Sequence, residues 1–413
     1  MISYSLHCLD IFDKGIEWVM NKMRISVVVC AVLALILFVQ FELDDPRIRH
    51  HISGQPAEGQ TVTIIQSSED EYINRSGARQ FTPEPKPPDR KYEVGEFQAG
   101  MNLLVYGQPD LERAGIYFKQ FREIGMNSVT ITFPFYQSGW QASEVSADAV
   151  MTPSLSSLDS LIKAAQREEL SVMLRPTMDE QSLIATGHWR GQIQPGDPAA
   201  WFDSYQSLLL EYAELAEANE VSYFNIGTEL NSMESYSDKW IELINAIRGR
   251  YSGDLIYSFN WDTVESVSSL NFVQHLDHVG IDAYFPLDAP DSADVEELSA
   301  AWEQWTVDLS KQLDHPSVII TEAGMIPVAG AHRTPYAWSM PDGVVDRQAQ
   351  ANYYSATFSA LKPLSKGIYW WGVALDQEVD VETVDYSPLH GPAEDVIRKL
   401  LLKGEPTGWI VVP

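Results

Sequence analysis

The strongest constraint on this chain is an alternation. From Val94 to the C-terminus, short apolar stretches of strand length take turns with longer amphipathic runs of helix length. The stretches at 98–105, 128–133, 171–175, 221–227, 255–260, 278–284, 317–321 and 367–372 read as strands. Helical runs fall between most of them, at 111–124, 155–169, 201–219, 238–250, 295–312 and 347–361, and 394–402 closes the chain. Strands that alternate with helices form a parallel α/β sheet, and eight such units predict a (β/α)8 TIM barrel. An open doubly wound sheet is the competitor. It normally carries a glycine-rich phosphate turn after its first strand, and GMNLLVYGQPD at 100–110 carries none.

A different signal precedes the barrel. Lys22 and Arg24 flank an almost purely apolar run at 25–41, close to the length that crosses a bilayer core as a helix. Basic residues ahead of such a run favour a cytoplasmic N-terminus and an exported body. The expected domains are therefore 1–22 as a short cytoplasmic segment, with Met23 an alternative start, and 23–41 as a transmembrane signal anchor. A linker at 42–93 and a barrel domain at 94–413 follow. The expected location is the membrane, with the barrel outside the cytoplasm; the alternative is secretion after signal cleavage. The proline-rich piece FTPEPKPPD at 81–89 makes part of the linker extended and semi-rigid.

Composition excludes several functions. With 58 acidic against 28 basic residues and a formal net charge of −30, the chain is poorly suited to nucleic acid, whose phosphates need Lys and Arg. Its only cysteines, Cys8 and Cys30, precede the barrel, so the barrel has no thiol nucleophile and no cysteine zinc site. No metal or other cofactor is expected. His50 and His51 lack accompanying carboxylates, and the acidic stretch at 376–385 lacks the spacing and glycine of a calcium loop.

In a TIM barrel the chemistry lies where strands end. Those ends carry Asn102, Phe133 to Tyr136, Arg175 with Asp179, Glu229, Asn260 with Trp261, Asp282 with Tyr284, Glu322, and Trp370 with Trp371. Two of them repeat a pattern: YFNIGTELN (223–231) and SVIITEAGMIP (317–327) each run from an apolar strand into a glutamate. Either carboxylate alone reads equally well as a charge facing a helix N-terminus. Together, on the fourth and seventh strands, they would face each other across a narrow barrel mouth. Carboxylates about 5–5.5 Å apart support glycoside hydrolysis with retention, one as nucleophile and the other as acid and then base. Glu229 is the expected acid/base and Glu322 the expected nucleophile.

IGTEL, GIDAYFPL, TEAG, GIYWWGV and YSPLHGPAEDVI, in that order, resemble the successive motifs of glycoside hydrolase family 113, with similarity across about 97–402. The resemblance implies a retaining (β/α)8 glycosidase, mainly of endo-β-1,4-mannanase activity. It places the acid/base at Glu229, the nucleophile at Glu322, and a tyrosine bonded to the nucleophile at Tyr284. The chain departs from the pattern at Thr228, where the wider clan carries Asn, at Arg175, where the family tends to carry Lys, and at Gly372, where a larger residue is usual.

The remaining expectations concern substrate. A strand points successive side chains to opposite faces, so one of Trp370 and Trp371 enters the mouth as a sugar platform while the other packs outward. Trp261 and Trp140 are further candidate subsites, and Asn260 and Asp282 candidate partners for sugar hydroxyls. Asp282 reads equally as a brace for Arg175, and Arg175 as a support for Glu322. His188, in GHWRGQ, lies on a long loop that forms a candidate cleft wall. The expected partner is a β-linked polysaccharide. The alternatives are a non-catalytic carbohydrate-binding barrel and a hydrolase that trims the cell's own exopolysaccharide.

Overall fold

The computed structural model describes residues 97–402 except 180, 314, 316 and 380–383. The segments expected at 1–22, 23–41 and 42–93, anchor included, lie outside the described residues. Among the described residues no helix is long and apolar enough to cross a membrane.

Eight parallel strands close in sequence order: β1 (Gln98–Leu104), β2 (Ser128–Phe135), β3 (Ser171–Met178), β4 (Tyr223–Thr228), β5 (Asp254–Asn260), β6 (His278–Asp282), β7 (Val318–Ala323) and β8 (Gly367–Ala374). β1 pairs with both β2 and β8, which seals the barrel. The helices between strands are α1 (Leu111–Glu123), α2 (Leu155–Arg167), α3 (Pro198–Ala218), α4 (Ser237–Arg248), α5 (Val295–Gln312) and α6 (Arg347–Leu361), and α7 (Pro392–Leu401) follows β8. The β5–β6 connection carries only two 3-10 segments, Val264–Ser269 and Asn271–His275.

Local chemistry explains where the helices begin. The Asp110 side chain accepts from the amides of Glu112 and Arg113 at the start of α1, and Asp197 does the same for α3, whose first residue is Pro198. Asp294 and Glu297 form a reciprocal capping box on α5. In α1 the buried residues Ala114, Tyr117, Phe118 and Phe121 recur at helical spacing and face the sheet.

Two strands run further than their apolar signal. Pro134 and Pro176 break the apolar pattern of β2 and β3, yet the two strands pair without interruption from Ser128↔Ser171 to Phe135↔Met178. Arg175 therefore lies within β3 instead of at its end.

Alternate residues of each strand point into the lumen and stack in layers. The lowest layer is apolar, built from Met173, Ile256, Ile319 and Tyr369. Tyr369 lies over Gly100, where an added Cβ would come within 2.1 Å of its ring. The layer above is polar and buried: Asn102, Arg175, Asn225, Ser258, Asp282 and Thr321. Asn225 Nδ2 donates to Ser258 Oγ (2.5 Å), which donates to Thr321 Oγ1 (2.8 Å), which donates to Asp282 Oδ1 (2.7 Å). That chain of bonds is the floor of the site.

Candidate active site

Glu322 reaches the lumen through an irregularity. Neighbouring residues of a regular strand face opposite ways, yet Thr321 and Glu322 both point inward. Register shifts between β6 and β7 at Ile281/Asp282, and between β7 and β8 at Ile320/Ala323, make this possible. Bulges of this kind re-aim side chains beside active sites. The Glu322 carbonyl holds the Ala283 amide at 2.7 Å, which ties the shifted strand to β6.

The Glu322 carboxylate is 4 % exposed and carries two strong partners. Tyr284 donates its hydroxyl to Oε2 at 2.6 Å. Arg175 Nη2 lies 2.7 Å from Oε1. Its hydrogens line up with both oxygens of Asp282 (3.0 and 2.8 Å), so the contact with Glu322 is an ion pair without hydrogen-bond alignment. Arg175 is fully buried; Nε donates to Thr228 Oγ1 (3.1 Å), and Nη1 to Asn102 Oδ1 and the Thr321 carbonyl (both 3.3 Å). Burial opposes its charge, but Asp282 and Glu322 outweigh burial and hold the guanidinium charged.

Glu229 stands one residue beyond β4 in a left-handed backbone conformation, φ +52°. This is costly for a residue with a side chain and characteristic of functional sites. Its amide donates to the Ser258 carbonyl at 2.9 Å, and a β4–β5 register shift between Asn225 and Thr228 precedes it. The nearest cation is Arg190 Nη1, 4.0 Å from Oε2. Burial, then Asp282 and Glu322, drive the Glu229 carboxyl well above the usual carboxylate range, against the pull of Arg190 and Arg175. Burial and Asp282 push Glu322 up to about 7, against Arg175 and the Tyr284 hydrogen bond. The adjacent Arg175 and Tyr284 favour the anion at Glu322, whereas Glu229 has only Arg190 at 4.0 Å.

Both carboxylates line one cavity of about 460 Å³, in which seven of the twelve lining residues are aromatic. Of the expected substrate residues, Tyr284, Asn260, Trp261 and Trp371 line it. Others do not. Trp370 is 2 % exposed and stacks outward on Tyr354 of α6, with ring centroids 4.3 Å apart. Trp140 is stacked on His188 at 4.3 Å and stands outside the cavity, as does His188. Arg175, Asp282 and Thr228 are buried in and against the floor, where Arg175 holds the other two and Glu322, and they do not line the cavity.

The cavity also holds residues outside the sequence-derived set: Trp189, Arg190, Asp262, Tyr336, Trp338 and Tyr386. Trp189 and Arg190 adjoin His188 in GHWRGQ, so the loop read as a candidate wall does line the cavity, through these two residues. Trp338 lies edge-on to Trp371 (6.1 Å) and to Tyr386 (5.1 Å), forming an aromatic corner of the cavity that Glu322 also lines. The available signal was YAW (336–338), an aromatic run in a loop after β7. Among the described residues no three His, Cys, Asp or Glu side chains gather as a metal site would require.

The family model of glycoside hydrolase family 113 matches residues 105–384. Among solved structures, a family 113 β-mannanase from Alicyclobacillus acidocaldarius in complex with ManMIm is 23 % identical, with a TM-score of 0.64, covering 74 % of this chain and 97 % of that one. A family 113 β-1,4-mannanase is 25 % identical, with a TM-score of 0.65, covering 75 % and 99 %. A search of curated proteins finds no match.

Proposed function

The chain belongs to glycoside hydrolase family 113 and is a glycoside hydrolase, and from that premise we propose that it cleaves a β-linked hexose polysaccharide, most simply β-1,4-mannan, by double displacement with retention. Glu322 attacks the anomeric carbon while Glu229 gives its proton to the departing glycosidic oxygen. The glycosyl ester on Glu322 is then hydrolysed by a water that Glu229, now a base, deprotonates. Tyr284 and Arg175 stabilise the Glu322 carboxylate before attack and after release. Trp371 and Trp261 offer ring faces to the apolar sides of pyranose units.

The observation that carries this reading is the unequal surroundings of two carboxyls in one aromatic cavity. Glu322 has a buried arginine and a tyrosine hydroxyl, whereas Glu229 has an arginine only at 4.0 Å and is driven up by burial. One group is suited to be an anion and the other to keep a proton. The apolar run at 25–41 supports a tether that leaves the barrel outside the cytoplasm, where it meets polysaccharide at the cell surface.

The test is to incubate the full-length protein with a panel of β-linked glycans and to follow product size and anomer by NMR. Manno-oligosaccharides that first form as the β-anomer are expected. An initial α-anomer would exclude double displacement, and silence on every β-glycan would favour a binding barrel.

A further inference from the structure

We propose that a second cavity, on the far side of Trp261, is a distal subsite that binds one further hexose unit of the same polymer. This rests on the reading of the main cavity as a polysaccharide site. The second cavity exists because the β5–β6 connection has no full helix: its 3-10 segment Val264–Ser269 leaves a gap against α5. The gap measures about 240 Å³. It has about half the volume of the main cavity of about 460 Å³, room for a single hexose unit.

Its chemistry is that of a sugar site. Trp261, Phe285 and Trp305 supply apolar faces, and Glu265, Asp308 and Gln312 supply acceptors for hydroxyls. A pyranose presents both kinds of surface at once: C–H faces for rings and equatorial hydroxyls for carboxylates. The rings are held in place in advance. Trp305 donates its indole N–H to the Pro286 carbonyl at 2.9 Å and lies edge-on to Trp261 at 6.1 Å. Trp261 and Asp262 line both cavities, which makes the two neighbours across Trp261.

The experiment compares full-length wild type with Trp305→Ala on manno-oligosaccharides of two to six units and on mannan. In the wild type, kcat/KM climbs with length until the added unit reaches Trp305. The variant loses that last step, by about tenfold through KM, keeps the wild-type rate on the shortest substrate cleaved, and shifts the cleavage point on the hexasaccharide. A profile identical to wild type at every length, or a loss equal at all lengths, overturns the subsite. If Trp305→Ala does not fold, Asp308→Ala reads the same effect: a several-fold loss confined to the longer substrates supports the subsite, and no loss overturns it. Calorimetric binding of the same oligosaccharides to Glu322→Ala, with and without Trp305→Ala, reads the subsite without turnover. Failure of hydrolysis and failure of the subsite are thereby separated.

Discussion

Glu322 meets Arg175 at 2.7 Å and Tyr284 at 2.6 Å, whereas Glu229 has Arg190 at 4.0 Å, and this difference sets the pH behaviour. In the proposed double displacement, turnover needs Glu322 ionised and Glu229 protonated. With Glu322 pushed up to about 7 and Glu229 driven well above the usual carboxylate range, kcat/KM is expected to rise with pH through an acid limb near 7 and fall again above it. Asp282 raises Glu322 by its charge, so Asp282→Asn should move the acid limb to lower pH, a shift that a merely structural role would not produce. Glu229→Gln should lower kcat by roughly 10²–10⁴-fold and remove the alkaline limb. The two glutamates were legible because each ends an apolar strand, a local pattern. The pairing of Arg175 with Asp282 and its support of Glu322 were among the readings the sequence allowed, and both form. What was not legible is that Arg175 lies fully buried and away from the cavity lining, because this depends on partners 107 and 147 residues further along the chain.

Among the elements, the segment after β4 carries a second buried carboxyl. Glu234 follows the 3-10 turn Asn231–Met233, is 4 % exposed and accepts from the Tyr257 hydroxyl. Burial pushes it up to about 8. A carboxyl whose folded pKa exceeds its unfolded value binds more protons when folded, so its contribution to stability falls as pH rises from about 4.5 to about 8. Glu234→Gln should flatten that decline, with a gain on the order of a few kcal/mol above pH 8, read as the urea midpoint against pH. On α5, Asp294→Ala removes the capping box and should cost about 1 kcal/mol in chemical unfolding. The order of strands and helices was legible because periods of two and of three to four leave distinct traces in sequence. The register shifts that turn Glu322 inward were not, since a bulge changes pairing without changing composition.

Over the whole molecule, a formal charge of −30 sets a general self-repulsion. Added salt should therefore raise the thermal midpoint between about 0.01 and 0.5 M, as screening shortens the reach of that repulsion. What the molecule accepts as substrate turns on a smaller feature. The Thr228 hydroxyl is already engaged by Arg175 at 3.1 Å and is buried, so the departure from the wider clan at 228 and the departure from the family at 175 touch each other. No amide stands at 228 to bind a sugar hydroxyl beside the scissile bond. Hydroxyl recognition beside the scissile bond must then come from side chains that line the cavity, so, in the proposed reaction, mannan and mixed glucomannan are expected to release reducing ends at comparable rates.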